Sequence, residues 1–175
     1  MTKIEYEDKV EELFQEYRGR LERFYERQTG RELTNPDIFD KKDIIGRWLF
    51  WLYFDRGFQQ NGIEDYVDGV ASGTNCEIKC NTYGFNEKSK VVIDKKKVDN
   101  VGDCGRIVFI YPDFANRTIS KRQFLVKDIK KYGRLSAKGG KVDNVSCEDS
   151  DKLVYFVGHE YAEAEWTWTK KGRKS

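Results

Sequence analysis

The chain has 175 residues, a length that fits one compact domain with a single core. Its 32 lysines and arginines against 30 aspartates and glutamates leave a formal charge of only +2, so net charge does not point to a nucleic-acid partner. No segment approaches about 18 consecutive apolar residues, and the N-terminus lacks the apolar stretch of a signal peptide. The sequence therefore predicts a soluble, cytoplasmic protein with no membrane segment.

The first third of the chain is predicted to be helical. Apolar residues recur at spacings of three and four from Lys3 to about Gln28, which predicts one long helix within residues 1–30, ended by Gly30. A loop around Pro36 follows, and a second helix begins near Lys41 and is closed by Gly57. Because the second helix is apolar nearly all round, we expect it to be buried against a sheet.

Short strands dominate the rest of the prediction. In chain order we expect a hairpin of strands 63–70 and 75–81, a strand at 90–93, a strand at 106–111 stopped by Pro112, a strand at 124–126, a helical turn at 127–132, an exposed loop at 133–150, a C-terminal hairpin within 151–169 and a disordered tail at 170–175. Together with the helices, these elements predict a single α/β domain with a central mixed sheet flanked by helices.

The cysteines argue against a structural zinc site. The four cysteines contain no C-x-x-C pair, and the chain has a single histidine, His159, to which we assign no chemistry. Cys76 and Cys80 have the same strand parity as Ile78, so we expect both to be small buried residues.

One predicted hairpin carries a group of charged residues. A turn at Ser72-Gly73 sets Asp68 opposite Glu77 and puts Lys79 on the same face. Opposed Cβ atoms lie about 5 Å apart, so two carboxylates there either repel or grip one divalent cation. Hard oxygen ligands favour Mg²⁺ or Mn²⁺, and a lysine beside such a cation suits phosphodiester hydrolysis. The alternative is a pair of exposed hairpin acids neutralised by lysines.

Asp68 followed by Glu77-Ile78-Lys79 resembles the D…E-x-K signature of the PD-(D/E)XK nuclease superfamily, which includes restriction endonucleases and Holliday-junction resolvases. The resemblance covers about residues 41–130, although Val67 stands where the name-giving proline would. It implies a restriction-endonuclease-like core, with the N-terminal helix and the C-terminal hairpin as additions. It also implies Mg²⁺ or Mn²⁺ held by Asp68 and Glu77, and Lys79 as the catalytic lysine. Asp43, at the start of the second helix, is either a third ligand or an ordinary helix-start acid.

The function that this resemblance implies is a magnesium-dependent endonuclease acting on DNA in restriction, junction resolution or repair, with RNA left open. A homodimer is expected, because cutting both strands usually needs two active sites and the N-terminal helix is rich in apolar positions. Two other classes remain: a non-catalytic nucleic-acid-binding or phage-host interaction protein that keeps the nuclease fold, and a structural subunit dimerised by its N-terminal helix. The candidate nucleic-acid contacts are Lys95, Lys96, Lys97, Lys130 and Lys131. The alternative is that these lysines are ordinary solvated surface charges.

Overall fold

The computed structural model describes residues 3–33, 41–61, 67–81, 90–113, 118–137 and 153–169, without the side chains of residues 3–7 and 164–169. The helices are α1 (Lys3–Glu16), α2 (Arg18–Thr29), α3 (Lys41–Tyr53), α4 (Lys95–Val101) and α5 (Val126–Tyr132). The strands are β1 (Gln59–Gln60), β2 (Gly69–Ala71), β3 (Thr74–Cys80), β4 (Val91–Asp94), β5 (Arg106–Asp113), β6 (Thr118–Leu125), β7 (Arg134–Ala137), β8 (Leu153–Val157) and β9 (Ala164–Thr169). The predicted α/β class, with a mixed central sheet flanked by helices, is confirmed.

The long N-terminal helix is divided in two. The backbone of Tyr17 departs from helical geometry, with φ −103° and ψ 11°, so the prediction of one continuous helix is wrong at this residue. Hydrogen bonds of helical spacing nevertheless join Tyr17 to Leu13 and Leu21 to Tyr17, so the departure is local. Gly30 ends α2 in the left-handed conformation, as predicted, and its N–H donates to the Glu26 carbonyl.

The apolar face of α1 and α2 is covered within the chain. Leu13, Phe14, Leu21 and Phe24 are buried in one core with residues of α3. This packing uses the apolar positions that motivated the homodimer expectation, which therefore rests on the need for two active sites alone. None of the helices in the described ranges is long and apolar enough to cross a membrane.

Helix α3 ends earlier than predicted. Its last residue is Tyr53 instead of Gly57. The N–H groups of Phe54 and Asp55 both donate to the Phe50 carbonyl, and the Asp55 side chain then accepts the Gly57 N–H. This local side-chain bond offers the backbone an alternative to another helical turn. The predicted loop around Pro36 lies outside the described residues.

The hairpin register is confirmed. Gly69 pairs with Cys76 and Ala71 with Thr74, while the turn residues Ser72 and Gly73 have φ angles of 53° and 78°. Positive φ at both central residues is typical of the tight turns that match the twist of a hairpin. Strand β2 starts only at Gly69, so Asp68 lies one residue before the paired ladder. Residues 63–66 of the predicted strand lie outside the described ranges.

The central sheet has the strand order β1-β2-β3-β5-β6-β9, in which β3 and β5 are parallel and the other neighbours are antiparallel. Strand β5 continues through Pro112, which was predicted to stop it. The Ile110 carbonyl accepts the Asn81 N–H at the end of β3. The backbone nitrogen of Pro112, two residues later, points to the same side of β5, where β3 has already ended. The proline therefore breaks no ladder hydrogen bond with β3. Strand β6 is longer than the predicted 124–126.

The predicted C-terminal hairpin is wrong. Strand β8 lies between β4 and β7 in a separate three-stranded sheet, whereas β9 pairs with β6 in the central sheet. A short 3₁₀ helix, His159–Tyr161, separates the two strands and redirects the chain. Strand β7 also replaces the first part of the loop predicted at 133–150; the rest of that loop and the tail at 170–175 lie outside the described residues.

Two apolar cores lie against opposite faces of the central sheet. One contains α1, α2 and α3 with Cys76, Ile78 and other sheet residues, which confirms the buried, apolar environment expected for Cys76 and Cys80. The other joins α4, α5 and the three-stranded sheet to Ile107 and Phe109. Because side chains alternate along a strand, β3 presents its even-numbered residues to the first core and Glu77 and Lys79 to the second.

Candidate active site

Glu77 is a buried acid in the middle of the protein. It is 1% exposed, and both of its carboxylate oxygens are buried without a hydrogen bond in the described part of the chain. Nζ of Lys97 lies 3.4 Å from Oε2. Burial, followed by the interaction with the Asp68 carboxyl, raises the pKa of Glu77 to about 8. An ionised carboxylate buried with so few polar partners is energetically unfavourable unless a proton or a cation is bound there.

Asp68 is held in place by two other elements. Arg47 of α3 forms an ion pair with its Oδ1, and the Ile78 N–H donates to its Oδ2 at 2.8 Å. Burial opposes ionisation, but the interactions with Glu77, Arg47 and the Ile78 N–H together keep the pKa of Asp68 below its usual range. Asp68 is therefore the charged member of the pair, and Glu77 retains its proton near neutral pH when no cation is present.

Two lysines approach the carboxyl pair from different elements. Lys79 follows Glu77 on the same face of β3 and is half-buried, and Lys97 comes from α4. Both positive charges oppose the rise in the pKa of Glu77. The site therefore contains two carboxyls and three cationic side chains, Arg47 among them, which is a suitable set for a divalent cation and a phosphate group.

Asp43 forms no three-acid metal group with the pair among the described residues. It lies in the first turn of α3 and takes part in contacts of its own. The described residues contain no group of three or more histidine, cysteine, aspartate or glutamate side chains arranged to hold a metal ion. Arg47, one helical turn after Asp43, is the α3 residue that contacts Asp68.

The candidate nucleic-acid contacts divide into two kinds. Lys95 and Lys130 form ion pairs with Asp99 and Asp103 at 2.6 and 2.7 Å, while Lys97 reaches Glu77 in the site. The predicted basic run is helical, so its members project in different directions. The two remaining candidates are Lys96, which also has a contact within the chain, and Lys131, which lies 5.1 Å from the ring of Tyr132.

Sequence reasoning missed the roles of Arg47 and Lys97. For Arg47 a signal existed, because it lies four residues after Asp43 and therefore on the same helix face as a proposed ligand. For Lys97 no local signal existed, since its contact with Glu77 depends on the packing of α4 across β3.

Comparison of the sequence with known protein families and with curated proteins found no match to either.

Proposed function

We propose that the chain is a metal-dependent endonuclease that hydrolyses phosphodiester bonds in DNA. The observation that carries this proposal is the pairing of Asp68 with Glu77, a carboxyl that is 1% exposed and has cationic side chains around it. Lys79 beside them completes the pattern that resembles the PD-(D/E)XK superfamily. Support for a restriction-endonuclease-like core comes from the apolar helix before the hairpin and from the central position of β3 in a mixed sheet.

The residues present fit a magnesium or manganese ion. Mg²⁺ in enzymes is commonly held by one or two carboxylates, with water and substrate phosphate oxygens completing its shell. Asp68 and Glu77 are two such ligands, so the site does not require Asp43. The buried oxygens of Glu77 fit either a proton shared with Asp68 or a cation held between the two carboxylates. When bound, the ion would polarise the scissile phosphate and lower the pKa of the attacking water.

The cationic side chains have separable roles in this proposal. Arg47 orients Asp68 through its ion pair, and Lys97 stabilises the ionised form of Glu77. Asp68 is ion-paired with Arg47 and Glu77 with Lys97. Lys79 therefore remains to stabilise the negative charge that develops on the phosphate. Arg47 and Lys97 are thus positioning residues, and Lys79 is the proposed catalytic cation.

One observation favours a non-catalytic alternative. Asp68 is already neutralised by Arg47, and a protonated Glu77 carries no charge, so the pair can persist without a metal. A DNA-binding protein that keeps this arrangement without turnover would look the same. Only an activity measurement separates the two functions.

The test is nicking of a supercoiled plasmid by the pure protein. Wild-type protein is incubated with Mg²⁺, Mn²⁺, Ca²⁺ or EDTA, beside the variants Glu77→Gln and Glu32→Gln. Glu32 is exposed and distant in sequence from the site, so its variant controls for the loss of one acid. Nicking in Mg²⁺ or Mn²⁺ by wild type and Glu32→Gln, but not by Glu77→Gln, is the expected result. Equal nicking by all three proteins identifies a contaminant, and no nicking of DNA or RNA by folded protein supports the non-catalytic alternative.

A further inference from the structure

A second candidate site lies between α2 and α3. It is a groove of about 300 Å³. Its lining includes Arg20, Arg23, Phe24, Arg27, Trp48 and Trp51. None of these residues belongs to the carboxyl site around Asp68 and Glu77. The groove combines cationic and aromatic side chains, which indicates a ligand that carries negative charge and a flat apolar group.

In the described part of the chain, the arginines of the groove have no acidic partner. Arg20, Arg23 and Arg27 are exposed and form no ion pair with the described residues, whereas Arg18 of the same helix pairs with Glu22 at 2.9 Å. Spacings of three and four residues place the three side chains on one helix face. Their Cα positions span about 10 Å along the axis. Three positive charges in such a row attract an extended anion more effectively than a single small one.

The aromatic residues form an apolar floor beside this row. Trp48 packs on Tyr17 with 5.3 Å between ring centroids, and Trp51 packs on Phe24 at 5.4 Å. Trp51 is partly exposed, and the Arg56 guanidinium lies 4.2 Å from its ring. A planar group therefore already stacks on this ring, and a base of similar flat shape would take the place of the exposed Arg56 guanidinium.

We propose that this groove binds single-stranded DNA, with a base against the partly exposed Trp51 and successive phosphates along Arg20, Arg23 and Arg27. Proteins that bind unpaired strands use this combination of a cationic track and aromatic surfaces on which bases stack. A strand is favoured over a free nucleotide because the arginines form a row and do not converge on one point. A duplex would keep its bases paired and away from the aromatic floor. This proposal does not depend on the nuclease proposal, since it needs neither a metal nor Glu77.

Fluorescence anisotropy of a labelled oligothymidylate, measured in EDTA, tests the groove. The variant Arg20→Gln, Arg23→Gln, Arg27→Gln is compared with Lys9→Gln, Lys90→Gln, Lys127→Gln, which removes three exposed positive charges elsewhere. We expect affinity to fall at least about tenfold for the groove variant and to stay within about twofold of wild type for the control. The slope of log K against log salt should decrease by about 2 for the groove variant, as expected when three phosphate contacts to a single strand are lost.

A further variant, Trp51→Leu, tests the aromatic floor while keeping an apolar side chain. Its affinity for the oligothymidylate should fall at least about fivefold, because loss of one stacked base has an effect of this order. Thermal melting shows whether each variant is folded. If Trp51→Leu does not fold, the arginine comparison alone decides.

Four outcomes would overturn the proposal. The first two are absence of binding and an equal loss of affinity in the groove and control variants. The third is equal affinity for a duplex of the same length. The fourth is displacement of the strand by thymidine monophosphate or inorganic phosphate at a concentration at which unlabelled strand displaces it. The last would identify the groove as a site for a small anion. The measurement is made in EDTA, in which a metal-dependent nuclease does not cleave, so failure of the nuclease proposal leaves it unchanged.

Discussion

Replacement of Glu77 by glutamine removes an ionisable group from a buried position with little change of shape. In the folded protein without metal, the pKa of Glu77 is about 8 instead of the ordinary 4.5. One pKa unit corresponds to about 1.4 kcal/mol, so keeping Glu77 protonated stabilises the fold at low pH by on the order of 5 kcal/mol relative to its ionised form. Because the folded-state pKa is raised, this stability is fully present below pH 4.5 and is lost as pH rises to about 8.

Asp68 contributes with the opposite sign and in a different pH range. Its folded-state pKa is lowered, so its contribution is present above its ordinary value of 3.8 and is lost only in more acidic solution. The two windows barely overlap. Between about pH 5 and about pH 8, the slope of stability against pH at this site therefore reports Glu77.

Urea denaturation in EDTA at about pH 5.5 and about pH 8.5 measures this slope. Wild-type protein and the exposed-site control Glu32→Gln should both lose several kcal/mol of unfolding free energy between the two conditions. Glu77→Gln should lose about 1 kcal/mol or less, because glutamine is neutral throughout. Parallel curves for wild type and Glu77→Gln would refute the reasoning, since they would mean that Glu77 is not held neutral by burial and Asp68.

The same variant tests metal binding. A cation must displace the proton from Glu77, so stabilisation by Mg²⁺ or Ca²⁺ should be greater at about pH 8.5 than at about pH 6.5. Thermal melting at both pH values should show this difference in wild type and no metal-induced shift in Glu77→Gln. A shift of equal size in Glu77→Gln would place the cation elsewhere.

Four other predictions test the site and its support. Lys79→Ala should reduce cleavage by about 100-fold or more while DNA affinity in Ca²⁺ changes little; normal cleavage would count against the nuclease proposal. Lys97→Gln should move the pH at which metal stabilises the protein upward, since Lys97 lowers the pKa of Glu77; an unchanged pH profile would remove its positioning role. Gly46→Ala should destabilise the fold by about 1–3 kcal/mol in urea titrations, because the new Cβ would lie 2.7 Å from Cys80 Cβ. The control Gly19→Ala should stabilise the fold, because its new Cβ would meet only the end of the Arg23 side chain. Light scattering should show a homodimer, and a mass of 20.6 kDa with and without DNA would contradict it.

Features that depend on neighbours along the chain were readable from the sequence. The turn at Ser72-Gly73 and the alternation of Cys76 and Ile78 with Glu77 predicted the hairpin register, because a tight turn and a period of two leave one way to bury the apolar face. The end of α2 at Gly30 followed for the same reason, since glycine readily adopts the left-handed conformation that closes a helix.

Only the tertiary structure decided the features that join distant elements. The alternation of apolar and polar residues identified β8 and β9 as strands, but it does not say with which strand each one pairs. In the structure they belong to different sheets. Arg47 and Lys97 reach the carboxyl pair from α3 and α4, on opposite faces of the central sheet. The raised pKa of Glu77 depends on the desolvation that this packing produces. Sequence spacing can bring two acids to one hairpin, but burial and charge at that hairpin depend on side chains that only the folded chain brings near.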